Sequence, residues 1–413
     1  MPFRGQRIVF AIAALLSLGF GSRAATFGTA VPVRGTVSDI ALDESRSRLY
    51  IANFGAGRIE VMNTADPKFG FLMPLLVSKP PSAVALSPGN HFLVAGEYDS
   101  FNSAVGATET GGAAIVNLDT GDRQEVPLPY PVLSVAFGAG NLALVVTKGD
   151  IRLLDPTTGQ TQILDVTALG GAPLPVPVAI CTPNVFSFPA NVVEAATGVS
   201  GDQQTILILA EVGPPPPGGT CGVTAQTDVA VLLRYQVGAN HVEQIAWTST
   251  PPLGPRAVSV NQDASRFVGG WVLMDSDGVD RADFPNLITG SPMDLRKGGH
   301  AFDYSRNLIY ADIMASLTDA PVMHIMDSDN LTVRERIQLP QMMSGRSLFS
   351  SDMTKVYSGS DSGVLVLPVG SLNTAHQLAA LQEDVVFQSD ICTRSVISQS
   401  IDLVDLSGGN TDF

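Results

Sequence analysis

The chain is poor in charge, in tryptophan and in cysteine. Of its 413 residues 15% are charged, two are Trp and three are Cys. So small a charged share, beside 40 Gly and 28 Pro, argues against long solvated helices and for many short strands joined by turns. The 24 Lys and Arg form no cluster and the net charge is −15. That excludes nucleic acid and disfavours an anionic membrane surface, since both need concentrated basic side chains. No Cys-x-x-Cys-His occurs, which excludes a covalently attached c-type haem. No Gly-x-Ser-x-Gly marks a nucleophile, and the five histidines show no His-Glu-x-x-His spacing. Trp247 and Trp271 alone are too few for the tryptophan-rich docking repeats of quinone-dependent dehydrogenases.

Long apolar runs are also absent, with one exception at the start. Arg4 and Arg7 precede an apolar stretch from Ile8 to Phe20, and Ser22-Arg23-Ala24 places small residues where a signal peptidase reads. About a dozen residues are too few to span a bilayer comfortably. Residues 1–24 therefore read as a secretory signal peptide, with a mature chain from about Ala25 that is secreted, periplasmic or held at the cell surface. No transmembrane segment is expected after cleavage.

What the sequence does have is a repeat. An apolar strand, a polar turn, a second apolar strand ending in a small or polar residue, and a third apolar strand recur. Copies start at Ser38, Ser82, Leu133, Arg256, Gly299 and Arg346, with a degraded fourth copy around Thr197–Glu211 and Asp228–Tyr235. A period of roughly 40–60 residues with several strands per unit predicts propeller blades, because one twisted four-stranded sheet cannot cover both its apolar faces unless neighbours pack on it. The expected fold is all-β: a seven-bladed β-propeller of four-stranded antiparallel blades over residues 25–380. A pair of β-sandwiches is the structural rival.

Leu49-Tyr-Ile-Ala-Asn53 and Val84-Ala-Leu-Ser-Pro-Gly89 resemble the repeats of bacterial YVTN-type and lactonase-like propellers. The resemblance covers about residues 27–378 and implies ring closure by a strand from the opposite terminus. The seventh copy lacks an outer strand, and Thr26–Val33 is free to supply it. Residues 381–413 leave the repeat. Glu383–Gln388 and Val396–Asp405 read as two strands and resemble the opening of a bacterial immunoglobulin-like domain, a partial β-sandwich tail in which Cys392 awaits a partner.

In a propeller the chain starts each innermost strand on the face where the second strand ends. Asn53, Glu97, Lys148, Glu211, Arg256, Trp271, His300, Asp312 and Arg346 are thereby expected around the channel mouth as a candidate binding rim. Cys181 and Cys221, in long connections on that face, are expected to form a disulfide. Asp275, Asp277 and Asp280 have the look of a calcium loop but lack its distal Glu, so an acidic hairpin turn is the preferred reading and no metal or cofactor is assigned. The functional expectation is a monomeric binding or cell-surface module for a protein, glycan or small-molecule ligand. The alternative is a lactonase-like hydrolase with a metal site, or a rim carboxylate and His300, at the channel mouth.

Overall fold

The alternating segments form seven antiparallel blades, the sixth and seventh joined in one eight-stranded sheet where their innermost strands pair in parallel. The computed structural model describes residues 26–99, 109–168, 192–212, 229–248, 255, 257–284, 298–313, 320–373, 378–380 and 403–405. The innermost strands of blades 1 to 7 are Val37–Asp43, Pro81–Leu86, Val132–Phe137, Val192–Val199, Val258–Val260, Gly298–Asp303 and Met343–Phe349. Three further strands pair outward from each in sequence order, except in blade 7. Each innermost strand packs beside the next, and that of blade 7 returns to blade 1, closing the ring. In blade 4 an extra strand, Asp165–Ala168, adds parallel to the outermost strand His241–Thr248. The core lies between blades: fully buried Tyr50, Tyr310, Phe267, Ile51 and Leu144 belong to the faces that neighbouring sheets cover. Each such side chain contributes roughly 1.5–3 kcal/mol of burial.

The ring is closed as expected from the opposite end of the chain. Thr29–Pro32 pairs antiparallel with Gly363–Leu367, the third strand of blade 7, in the register Thr29↔Val366 to Pro32↔Gly363. Val31 and Val33 bury against Tyr357 and Val364. The approach requires glycine at 363: a Cβ there would lie 2.2 Å from the Val31 carbonyl oxygen, at a φ of +156°.

The repeat is plainer in the backbone than in the residues. In six blades the turn between first and second strands holds one non-glycine residue in the left-handed region: Ser47, Asn90, Gln203, Ala264, Asn307 and Met353. These share a conformation and no chemistry, which is why the fourth copy looks degraded as text yet forms a full blade. Among the described residues of the tail, Leu378–Ala380 pairs antiparallel with Leu403–Asp405. The latter falls within the predicted strand Val396–Asp405, while Glu383–Gln388 and Cys392 lie outside the described residues. No helix of the described residues is long and apolar enough to cross a membrane.

Candidate functional site

The channel wall is set by bulges. Just after their starts the innermost strands of blades 1, 2, 3, 4 and 7 slip register, at Val37/Asp39, Pro81/Ala83, Val132/Ser134, Val192/Glu194 and Ser344/Ser347. A bulge re-aims the extra side chain out of the ladder. In blades 1 and 2 the bulged residues are Ser38 and Ser82, whose hydroxyls donate to the next blade at Pro81 O (2.8 Å) and Val132 O (2.6 Å).

In blade 7 the bulge holds Arg346, and its guanidinium crosses the channel. It donates to Val84 O of blade 2 (3.2 Å), to Val135 O of blade 3 (3.0 Å) and to Thr197 Oγ1 of blade 4 (2.9 Å). Its Nε lies 3.4 Å from Asp39 Oδ1 of blade 1. Asp39 also accepts from the Ile40 and Val84 N–H groups at 2.9 and 3.0 Å. Burial nevertheless pushes its carboxyl above the ordinary carboxylate range, against the pull of Arg346 and those two donors. One side chain thus joins five blades, and Arg346 is placed as a strut across the channel.

The ends of the second strands carry a different device. Asn53, Glu97 and Asp312 are buried to 0%, 1% and 1% exposure. Asn53 donates to Arg34 O (2.7 Å) and accepts from Ala56 N–H (3.0 Å). Glu97 Oε1 accepts from Ser78 N–H and Lys79 N–H, both at 3.0 Å. Asp312 Oδ2 accepts from Met343 N–H at 2.9 Å. Each satisfies backbone in or beside a connection leading to an innermost strand, groups that would cost about 1–3 kcal/mol apiece if buried unpaired. Burial pushes Asp312 up to about 7, with Asp361 nearby adding to the rise. Burial and the neighbouring Glu97 likewise raise Glu125, which shares the Ser78 hydroxyl with Glu97. Glu211 is half-buried and register-paired with Glu194.

His300 has no exposed surface and sits between blades 5 and 6. Trp271, only 3% exposed, meets it edge-on at 6.2 Å, and Phe284 stacks on it at 6.3 Å. The Ser259 hydroxyl donates to the His300 carbonyl (2.9 Å), so the 2.7 Å contact with Nδ1 is assigned as the ring N–H donating to Oγ. A nucleophilic serine gives its proton to the imidazole; this one gives it to a carbonyl. Burial lowers the His300 pKa to about 4, with the Gly270 and Ala257 carbonyls opposing the shift. The ring is therefore neutral at physiological pH. Those carbonyls lie near it, but Nε2 has no partner at hydrogen-bonding geometry among the described residues. Gly270, at a φ of +61°, turns the chain straight from second strand to third, so no insertion follows Trp271.

Lys148, among the described rim residues, joins a surface cluster. Its Nζ pairs with Glu109 Oε2 at 2.6 Å and lies 5.0 Å from the centre of the Tyr98 ring. Burial pulls the ammonium pKa down, but Glu109 and Tyr98 outweigh it and the net shift is upward. Phe54 meets Tyr98 edge-on at 6.2 Å. Tyr130, 42% exposed, lies over Gly149, where a Cβ would fall 2.5 Å from its ring. Sequence reading missed these three aromatic residues. The available signal was position, since Phe54 and Tyr98 directly follow the strand-end residues Asn53 and Glu97.

Arg256, Cys181 and Cys221 lie outside the described residues. Asp275, Asp277 and Asp280 build a hairpin: Asp275 Oδ1 accepts from the N–H groups of Asp277 (3.1 Å) and Val279 (3.0 Å), and Oδ2 pairs with Arg281 at 2.5 Å. Among the described residues no group of three or more His, Cys, Asp or Glu could hold a metal ion, so Glu97, Glu211, His300 and Asp312 do not converge as a ligand set.

No family model matches the chain, and neither does any curated relative. Among solved structures it is similar to the β-propeller domain of Myceliophteria thermophila Cps50 (Swd1), at 10% identity and a TM-score of 0.52, over 83% of this chain and 100% of that one. It also matches Kuenenia stuttgartiensis hydrazine synthase at 12% identity over 84% and 99% of the two chains, with a TM-score of 0.43 that carries no argument. At such identities the likeness to Cps50 (Swd1) speaks to fold alone: the chain is a β-propeller.

Proposed function

We propose that this protein is an exported binding module of the YVTN/lactonase-like kind. In this reading it engages a protein, glycan or small-molecule ligand through the face on which the innermost strands start, with an immunoglobulin-like domain beginning after residue 380. The observation that carries the reading is a division among polar groups. Asn53, Glu97, Asp312, His300 and Arg346 hold backbone or neighbouring blades. Tyr98, Tyr130 and the Lys148–Glu109 pair instead lie at the surface or partly buried beneath it. Aromatic rings beside a charged pair offer stacking and hydrogen bonding together.

Position supports the same reading. The strands ending at Asp99, Ala168 and Val212 all end on this face, and the stretches that join strands on a rigid scaffold are where binding usually resides. The Cys181–Cys221 disulfide belongs to this proposal and would staple two of them. The test is a glycan array probed with the wild type and with Tyr98→Ala, Tyr130→Ala and Lys148→Ala, alongside a panel of simple esters and lactones. Glycan capture weakened about tenfold or more by these substitutions is the expected result. Turnover of any ester or lactone overturns the binding reading in favour of the hydrolase.

A further inference from the structure

The outer edges of blades 2, 5 and 6 are defended by charge. Blade 2 exposes Arg123, Gln124 and Glu125 on its outermost strand, and blade 6 exposes Arg334, Arg336 and Gln338 on Val333–Gln338. Charged side chains of this kind stop sheet edges from recruiting other chains. Blade 1 is built the opposite way. Its outermost segment runs Phe69-Gly-Phe-Leu-Met-Pro-Leu-Leu76. The regular strand shrinks to Leu75–Leu76, preceded by an isolated bridge between Phe71 and Met62. Between the two, Met73 and Pro74 leave the ladder. Phe71 is 42% exposed, Leu72 43%, Met73 86% and Leu76 61%. Elsewhere among the described residues, exposed large apolar side chains are scattered singly, as Ile163 is on blade 3.

We propose that this apolar knuckle is a self-association surface through which two copies of the chain pair about a two-fold axis. Strand addition does not suit it, because Pro74 has no N–H to give and the chain bulges away at Met73. Contact through side chains does. The area fits a weak dimer. From their fractional exposures the four side chains present about 400 Å² of surface, at the size where an apolar patch on a single chain marks an interaction site. Doubled across a two-fold axis, that is about 800 Å², roughly half a standard interface before any rim is added.

Charge permits a second copy to approach here. From Arg58 to Lys79 the chain carries Arg58, Lys68 and Lys79 against Glu60 and Asp66, a local balance of +1 within a total of −15. A copy meeting the knuckle with its own knuckle brings together two near-neutral, apolar edges and keeps the acidic remainder of both molecules apart. This runs against the monomer expected from sequence.

Sedimentation equilibrium tests the proposal. The full chain is expected to rise from a one-chain towards a two-chain mass between about 1 and about 100 µM, the range of a weak complex. The double substitution Met73→Glu, Leu76→Glu is expected to weaken pairing at least about thirtyfold by placing like charges across the axis. Both positions are exposed, and an unchanged melting midpoint verifies the fold. Ile163→Glu, an equally exposed apolar site on another blade, should leave pairing unchanged. Three outcomes overturn the idea: a chain that stays single to 100 µM, pairing that survives the double substitution, or pairing lost equally with Ile163→Glu. A chain that stays single but sediments with phosphatidylglycerol vesicles through Met73 and Leu76 overturns it in favour of a lipid surface.

Discussion

Arg346 and His300 follow the paired residues Gly345 and Gly299 on adjacent innermost strands, yet the molecule treats them in opposite ways. On the side of blades 1 to 4 the channel is crossed by a permanent cation that hydrogen-bonds two carbonyls and a hydroxyl and faces Asp39. On the side of blades 5 and 6 the polar ring is packed among Trp271 and Phe284 and kept neutral. The first half is joined by charge and the second by apolar burial. A polar residue type at the start of a propeller strand therefore does not announce a ligand site. In both halves the group serves the joint between blades.

The comparison breaks most readily at Arg346. Arg346→Met should cost about 3–5 kcal/mol, because it leaves Asp39 buried without its cation. Chemical denaturation reads the loss, and adding Asp39→Asn should return part of it. A loss below about 1 kcal/mol would show that the cross-channel contacts contribute little.

Next in size is Asp312→Asn. The folded carboxyl keeps its proton to about pH 7, whereas the unfolded one releases it near 3.8. Between those values the folded state binds the extra proton, so wild-type stability falls as pH rises and then levels off. The Asn variant should match wild type near pH 3.5 and exceed it by roughly 4 kcal/mol well above pH 7. A constant difference across that window would place the Asp312 pKa elsewhere.

His300 has the opposite sign. Its ring titrates at about 4 when folded and near 6.5 when unfolded. Wild-type stability should therefore drop as pH falls through that window, by roughly 3 kcal/mol. His300→Phe, which cannot titrate, should lose this acid sensitivity even though it also loses the Ser259 contact at every pH. Glu97→Gln, which weakens the bracket at Ser78 and Lys79, should cost about 1–2 kcal/mol in the same denaturation assay. Smallest is Asp275→Asn in its exposed hairpin, at about 0.5 kcal/mol in melting experiments. A larger loss on calcium removal would reopen the metal reading there.

The fold was largely legible because it is written in spacing. Strand alternation, the turn clusters and the missing outer strand of the last copy lead to seven blades and to the closing strand near Thr26–Val33. What spacing could not show is where each polar group points. The rim residues were located by strand position, and that placed Asn53, Glu97 and Asp312 at the right ends of the right strands. Their direction is decided by bulges and by unpaired N–H groups in the connections, which leave no mark in residue type. Trp271 was placed on the rim for a related reason: it follows the second strand, but its ring is buried against His300. The aromatic surface of Tyr98 and Tyr130 was missed because hydrophobic residues beside strand ends read as core.

The pairing of Thr29–Pro32 with Gly363–Val366 also sets an order of events in time. Thr29–Pro32 is made long before its partner in blade 7, and contacts so distant in sequence form slowly. Until they form, Val31, Tyr357 and Val364 have no cover from one another. A chain interrupted before Gly363 cannot latch, however well its earlier blades have formed. The latch therefore ties closure of the ring to completion of its seventh blade.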